Sequence, residues 1–439
     1  MKLFFILFFL FFLNSCSFDN KTGIWNNDKV AKQKDKTIFK DFKKIANSQS
    51  EFNKEINFNE NFILKISDPT VNKEWSDIFY NYNNNTKNFK YNNLNQIIFK
   101  SNKLSKYSSS KYKLYEDGNI IISDEKGNII VFSTYESKII SKFNFYKKMF
   151  KGVKKNLNFI VEDNIIFVTD NLGYFYAYNY NLNKILWAKN FKVPFRSNLK
   201  IYKEKVIASN QNNNLLIINR NEGELLKLIP TEEISLKNEF INNLSIYNDN
   251  LLFLNTFGSL YSINLDTLSI NWFNNFNQSF DLSPSNLFLG NKIIVTDEIV
   301  IISSNLNTFF INLNTGSVLK KYNFSTKKKP VALGNLVFFL TNNNFLIAID
   351  LKKQDIVFSL DVSKYDKSLK NSKTESFRDI MILNNEIFIF LENSYVLKFS
   401  LKGIFKQKIK LPLKINTFPI VLENSIFFLD KKNKLIILN

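Results

Sequence analysis

The sequence contains no histidine. That absence removes histidine-based catalytic triads, histidine metal sites and the commonest general base. A single cysteine stands in 439 residues, so neither an intrachain disulfide nor a cysteine-rich zinc site can form. No EF-hand loop, no Walker phosphate loop and no glycine-rich dinucleotide fingerprint is present. These gaps leave no expected catalytic residue, metal ligand or cofactor-binding residue.

What is present favours strands. Hydrophobic residues make up 45% of the chain, with 46 Phe and 18 Tyr, and aromatic side chains suit a pleated, half-buried surface. The formal net charge is +20. The basic excess runs along the whole chain without gathering into one patch, which is how an AT-rich coding bias in Lys and Asn reads, and not a nucleic-acid footprint.

The N-terminus reads as an address. Lys2 precedes an apolar run over residues 3–13. A spanning helix needs about 20 such residues, so the run fits a secretory signal. It ends in Leu13, Asn14, Ser15 and Cys16, which resembles the bacterial lipobox, with Asn14 departing from the usual small residue. The resemblance implies cleavage before Cys16 and lipid attachment to Cys16. Ser17 is not the Asp that the same resemblance links to inner-membrane retention, so the periplasmic face of the outer membrane is expected. Residues 1–15 are therefore expected to be a signal peptide. Residues 16–57 form a lipidated N-terminus and polar tether, and a flexible chain of about 40 residues reaches roughly 35 Å. Residues 58–439 form the body. An exported chain is not expected to meet nucleic acid.

The body repeats. A short apolar strand, a Gly or Asn turn and a second apolar strand recur eight times, from NIIISDEKGNIIVFS at Asn119 to SIFFLDKKNKLIILN at Ser425. The copies lie about 44 residues apart, a spacing typical of propeller blades. Their turn positions are Gly127, Gly173, Asn214, Gly258, Asn307, Asn344, Ser394 and Asn433, residue types that tolerate positive φ. Flanking strands make four per unit, A to D. The last copy stops at Asn439 without a strand D, and a spare strand over residues 96–100 precedes the first. The expected fold is all-β: an eight-bladed β-propeller of four-stranded antiparallel blades, the last blade closed by an N-terminal strand.

Strand D of two units carries Trp187 and Trp272, and a third shows Thr315, Gly316 and Tyr322. These stretches resemble the repeat of pyrroloquinoline-quinone-type propellers. The tryptophans read as blade-packing aromatics and not as a cofactor cage. Lipobox, tether and propeller together resemble the BamB-like family of barrel-assembly lipoproteins. The stretch over residues 75–94, with Trp75 and Asn83, Asn84 and Asn85, resembles the lead-in of alphaproteobacterial members. The resemblance implies a non-catalytic scaffold that binds the outer-membrane barrel-insertion protein and unfolded outer-membrane clients, with no cofactor. Two alternatives stand: a surface or carbohydrate-binding propeller, and a quinone-dependent dehydrogenase, which would require an axial cofactor pocket, a bound calcium and a catalytic acid. Propeller topology places the linkers from strand D to the next strand A on one face. Lys147, Lys148, Lys151, Lys154, Lys155, Lys327, Lys328 and Lys329 lie in them, so this face is expected to be basic and to meet an acidic partner.

Overall fold

The computed structural model describes residues 17–18, 25–26, 52–233, 241–277, 288–304, 306–326, 328–369 and 377–439. The chain divides into two units, Met1–Asn53 and Lys54–Asn439. In the first, Ser17–Phe18 pairs with Trp25–Asn26; Cys16 and the expected signal peptide lie outside the described residues.

The second unit is an eight-bladed β-propeller of four-stranded sheets. Strands A to D of blade one are Leu114–Glu116, Asn119–Ser123, Asn128–Ser133 and Lys138–Asn144. Those of blade two are Leu157–Glu162, Ile165–Asp170, Tyr174–Asn179 and Lys184–Asn190, and those of blade three Lys200–Tyr202, Lys205–Ser209, Leu215–Asn219 and Leu225–Ile229. Blade four comprises Asn243–Tyr247, Asn250–Leu254, Ser259–Asn264 and Ser269–Asn275, and blade five Ile294–Val295, Ile299–Ser303, Thr308–Asn312 and Val318–Tyr322. Blade six comprises Val331–Leu333, Leu336–Leu340, Phe345–Asp350 and Ile356–Asp361, and blade seven Phe377–Leu383, Glu386–Leu391, Tyr395–Ser400 and Phe405–Lys410. Blade eight has Ile420–Leu422, Ser425–Leu429 and Lys434–Leu438 from the C-terminus. Its strand D is Ile97–Lys103, antiparallel to Lys434–Leu438 with Ile437 opposite Phe99. The strand that precedes blade one and the last strand of the sequence thus share one sheet, as the missing and spare strands required.

The sequence pattern follows from burial. Strands B and C lie between neighbouring blades with both faces covered, so they read as unbroken apolar runs; every residue of Leu336–Leu340 is buried. Strand D meets solvent and is more polar, as in Phe405–Lys410, except in blade six, where Ile356–Asp361 is mostly buried. In seven blades the pairing of C with D shifts register by one residue at the same level, for instance between Ala177 and Tyr178. Such bulges increase the local twist.

The B–C turns are shaped by side chains as much as by glycine. Asp124 Oδ1 accepts from the N–H groups of Lys126 and Asn128, and Asp170, Asn210, Asn255 and Asp430 repeat that pattern. The left-handed residue falls at Gly127, Gly173, Gly258, Asn344, Ser394 and Asn433. In blade three it is Asn213 and not Asn214, because the side-chain turn begins at Asn210. In blade five, Ser304 closes the turn by donating its N–H to Asn307 C=O (2.7 Å).

Trp187 and Trp272 each join one blade to the next. The Trp187 indole donates to Arg220 C=O (2.7 Å) and lies on Gly223 in the C–D turn of blade three; Trp272 donates to Leu313 C=O (3.0 Å) and lies on Gly316 in blade five. Phe358 lies on Gly403 in the same way. Gly223 has φ +70, and an added Cβ would sit 2.5 Å from the Trp187 ring. Gly223→Ala is therefore expected to destabilise the protein by about 2 kcal/mol, combining backbone strain with displacement of the indole. Thermal unfolding followed by tryptophan emission checks this.

Candidate functional site

A segment that precedes the blades fills the propeller axis. Residues 54–66 first cross blade six, from its outer strand, where Ile56 and Ser359 exchange backbone hydrogen bonds (2.8 and 2.9 Å), to its A–B turn, where Asn335 donates to Lys65 C=O (3.2 Å). This engagement starts just before residue 58. The chain then enters the ring and meets the blades in turn. Glu423 in blade eight donates to Asn72 C=O (2.9 Å), Trp75 and Tyr115 in blade one exchange two bonds (2.9 Å each), and Val161 in blade two donates to Ser76 C=O (3.1 Å). Asp77 pairs with Lys200 in blade three. Ile246 in blade four donates to Tyr82 C=O and Val295 in blade five to Asn83 C=O. Asn85 and Ala332 in blade six exchange two bonds (2.9 Å each), and Asn88–Phe89 runs parallel to strand A of blade seven.

The segment is a plug that uses the inner strand of every blade. Inner strands of a ring would otherwise present unpaired N–H and C=O groups to a channel, and buried backbone groups need partners. The plug supplies them while its own Trp75, Tyr80 and Phe89 pack together, with Trp75 and Tyr80 centroids 4.9 Å apart.

Its polar centre is Asn84, fully buried with φ +61. The Asn84 amide donates to Leu244 C=O (2.8 Å) and Ile293 C=O (2.9 Å). Its Oδ1 accepts from Lys200 Nζ (2.6 Å), and its backbone C=O from Lys329 Nζ. Lys200 also donates to Asp77 Oδ2 (2.7 Å) and Asn81 C=O (2.9 Å). Burial pulls the Lys200 ammonium below the usual lysine range and Asp77 pulls it back.

At the end of the axis where the D–A linkers enter strands A, a cavity of about 170 Å³ remains. Lys113, Lys292, Lys328, Lys329 and Asp379 are its charged lining residues; Trp75 and Thr86 of the plug also line it, with Tyr112 and Phe418 among the aromatic residues. Burial pushes the Lys113 ammonium down to about 7 and that of Lys329 down to about 8. Burial also pushes the Asp379 carboxyl up, with Lys329 opposing.

The linker lysines separate accordingly. Lys147, Lys148, Lys151 and Lys154 are exposed around one linker, Lys154 lying 3.8 Å from Glu125. Lys155 is not partner-facing: it is buried, donates to Phe150 C=O and lies over the Tyr146 ring. Lys328 and Lys329 turn into the axial cavity and not outward. Charge counting along a linker cannot distinguish these directions. Lys327 lies outside the described residues. Lys113 and Lys200, which sequence reasoning missed, did leave a trace: each is a lone charge beside apolar strand residues, Leu114 for one and Leu199 and Ile201 for the other.

Fold and axis together define an eight-bladed propeller whose channel is closed by its own chain. Residues 125–360 match the family described as outer membrane protein assembly factor BamB. The match spans more than half of the sequence, and the chain belongs to that family. Among solved structures, BamB from Moraxella catarrhalis is similar with a TM-score of 0.61 at 11% identity, covering 76% of this chain and 99% of its own. The quinohemoprotein alcohol dehydrogenase from Comamonas testosteroni gives 0.62 at 10% identity, covering 83% and 80%. A europium-containing methanol dehydrogenase gives 0.60 at 12%, covering 83% and 89%. At such identities the likeness is one of fold. Comparison with curated proteins finds no match.

The alternative of a quinone-dependent dehydrogenase asks for a quinone and a metal at the axis, and the described axial residues do not fit them. The plug bonds to all eight blades along the channel, and the space left at its other end is a cavity of only about 170 Å³. Among the described residues no three carboxylate or thiol groups converge as metal ligands.

Proposed function

We propose that this chain is a non-catalytic scaffold lipoprotein on the periplasmic face of the outer membrane. Lipid on Cys16 anchors it, and the propeller docks on the barrel-insertion subunit to assist assembly of outer-membrane β-barrels. The observation that carries this reading is the plug: with all but a small cavity of the axis filled, the propeller's faces and outer edges remain for binding a protein. The family match supports the same reading.

The outer edges of blade three, with one lysine, and of blade four, with none, are both open to docking, and that of blade three is the more apolar. Leu225, Leu226 and Leu228 on it are 46%, 45% and 44% exposed. Edge strands are normally blunted by lysines, as on blade seven with Lys406, Lys408 and Lys410; blade three carries only Lys227 there. An extended strand of the partner would add to this edge. Lys147, Lys148, Lys151 and Lys154 would raise the rate of encounter with an acidic surface.

The test is a detergent-solubilised pull-down of tagged protein from native membranes, with the co-eluting proteins identified by mass spectrometry. The barrel-insertion subunit is the expected partner, and its absence under gentle crosslinking would remove the assembly role. The double variant Leu225→Glu/Leu228→Glu is expected to lower its recovery at least about tenfold, as loss of an interface anchor does. Its melting temperature should stay close to that of the parent, since exposed substitutions rarely exceed about 0.5 kcal/mol.

A further inference from the structure

The axial cavity is lined by donors that lack an acceptor. Trp75 and Thr86 are each 4% exposed, and neither the Trp75 Nε1–H nor the Thr86 hydroxyl has a hydrogen-bond partner. Two ammonium groups converge from the blades. Lys113 donates to Thr417 Oγ1 (3.2 Å) and Phe418 C=O, and Lys329 to Asn84 C=O. An ammonium carries three donor hydrogens, so each retains one or more beyond these bonds. Four lysines line the space against one aspartate. Buried polar groups in folded proteins are nearly always paired, so the Trp75 and Thr86 donors and the remaining hydrogens of Lys113 and Lys329 describe a negatively charged acceptor that belongs between them.

The walls specify the rest of that ligand. Tyr112 and Phe418 stack with centroids 5.0 Å apart, and Phe79 meets Tyr112 edge-on at 5.5 Å. Lys292 lies over the Phe79 ring and Lys328 over Phe418. A cavity of about 150 Å³ holds benzene in another protein, and this one measures about 170 Å³. The flat apolar portion of a ligand therefore has a place beside the aromatic wall, while its charged end faces the donors.

We propose that this cavity binds a small carboxylate carried on a flat apolar body, an anion the size of benzoate. The site does not depend on docking at blade three, because none of its lining residues lies on that blade's strand D. The carboxylate accepts from Lys113, Lys329, Trp75 and Thr86, and the ring lies against Tyr112 and Phe418. Burial pushes Asp379 toward its neutral form, which reduces its repulsion of the anion.

Calorimetric titration of the full chain with benzoate, benzamide and inorganic phosphate tests the assignment. Benzoate is expected to bind saturably and to shift the emission of Trp75. Benzamide, the uncharged isostere, is expected to bind at least about tenfold more weakly, since bonds to charged groups carry more energy than neutral ones. Thr86→Val should weaken benzoate about tenfold, and Lys113→Met should weaken it further. If Lys113→Met fails to fold, Thr86→Val and the benzamide comparison still decide. No saturable benzoate heat, equal affinity for benzamide, or binding of phosphate without benzoate would each overturn the proposal. The blade-three variant Leu225→Glu/Leu228→Glu should keep full benzoate affinity, so failure of the docking reading and failure of this one are separable.

Discussion

Lys200→Met is expected to lower the free energy of unfolding by about 3–5 kcal/mol, the range for removing one member of a buried ion pair. The side chains of Lys200 and Asp77 are 0% and 4% exposed, with the ammonium 2.7 Å from the carboxylate. Desolvation is the largest influence on Lys200, so the pair is not a strong source of net stability. Breaking it is a different matter. The Asp77 carboxylate would remain in the axis with only the Phe79 N–H (2.8 Å) donating to it, and Asn84 Oδ1 and Asn81 C=O would each lose a donor. The plug would lose its tie to blade three, so amides over residues 75–85 should exchange faster. Adding Asp77→Asn removes the stranded charge and should restore part of the loss. Urea unfolding at unchanged m-value measures both variants. A loss below about 1 kcal/mol would show that the axis admits enough water to solvate the carboxylate.

The parts of this fold that were legible are those that repeat. Strands B and C are apolar throughout because both faces are covered by neighbouring blades, and that pattern recurs eight times at one spacing. The missing eighth strand D and the spare strand before blade one could be matched by counting alone. The plug was not legible for the converse reason. Its residues bond one or two at a time to eight different blades, so residues 72–89 carry neither a period of two nor a helical one. Asn84 illustrates the difficulty: its amide partners, Leu244 and Ile293, lie 160 and 209 residues away. The Asn triplet stood out only as a likeness to family members, with nothing local to give its role. Lysines posed the same problem in another form. Lys148 and Lys155 look alike in a linker, yet one is exposed and the other is buried over Tyr146.

The buried lysines of the axis also make stability depend on pH. In the unfolded chain Lys113 and Lys329 hold their protons up to about 10.5; in the folded protein burial brings them down to about 7 and about 8. Between those values the unfolded state binds more protons, so stability rises with pH. Below about 7 both states are protonated and the cost of burying the charge is present in full. Each lysine contributes a slope approaching about 1.4 kcal/mol per pH unit within its window. From pH 7 to 9.5 the expected gain is on the order of 4 kcal/mol. Above pH 10 the trend should reverse, because burial raises Tyr80 and Tyr91 to about 12 and the unfolded chain then releases protons that the folded one retains. Asp379 acts on the acid side: its raised carboxyl makes stability fall as pH climbs above the ordinary aspartate range. Urea unfolding at successive pH values tests this, with Lys113→Met expected to remove about half of the rise between pH 7 and 9.5. Saturating benzoate should flatten the same rise in the parent protein, because a bound carboxylate keeps both ammonium groups charged. A parent profile that is flat from pH 7 to 9.5 would mean that both lysines remain charged in the folded axis without a ligand.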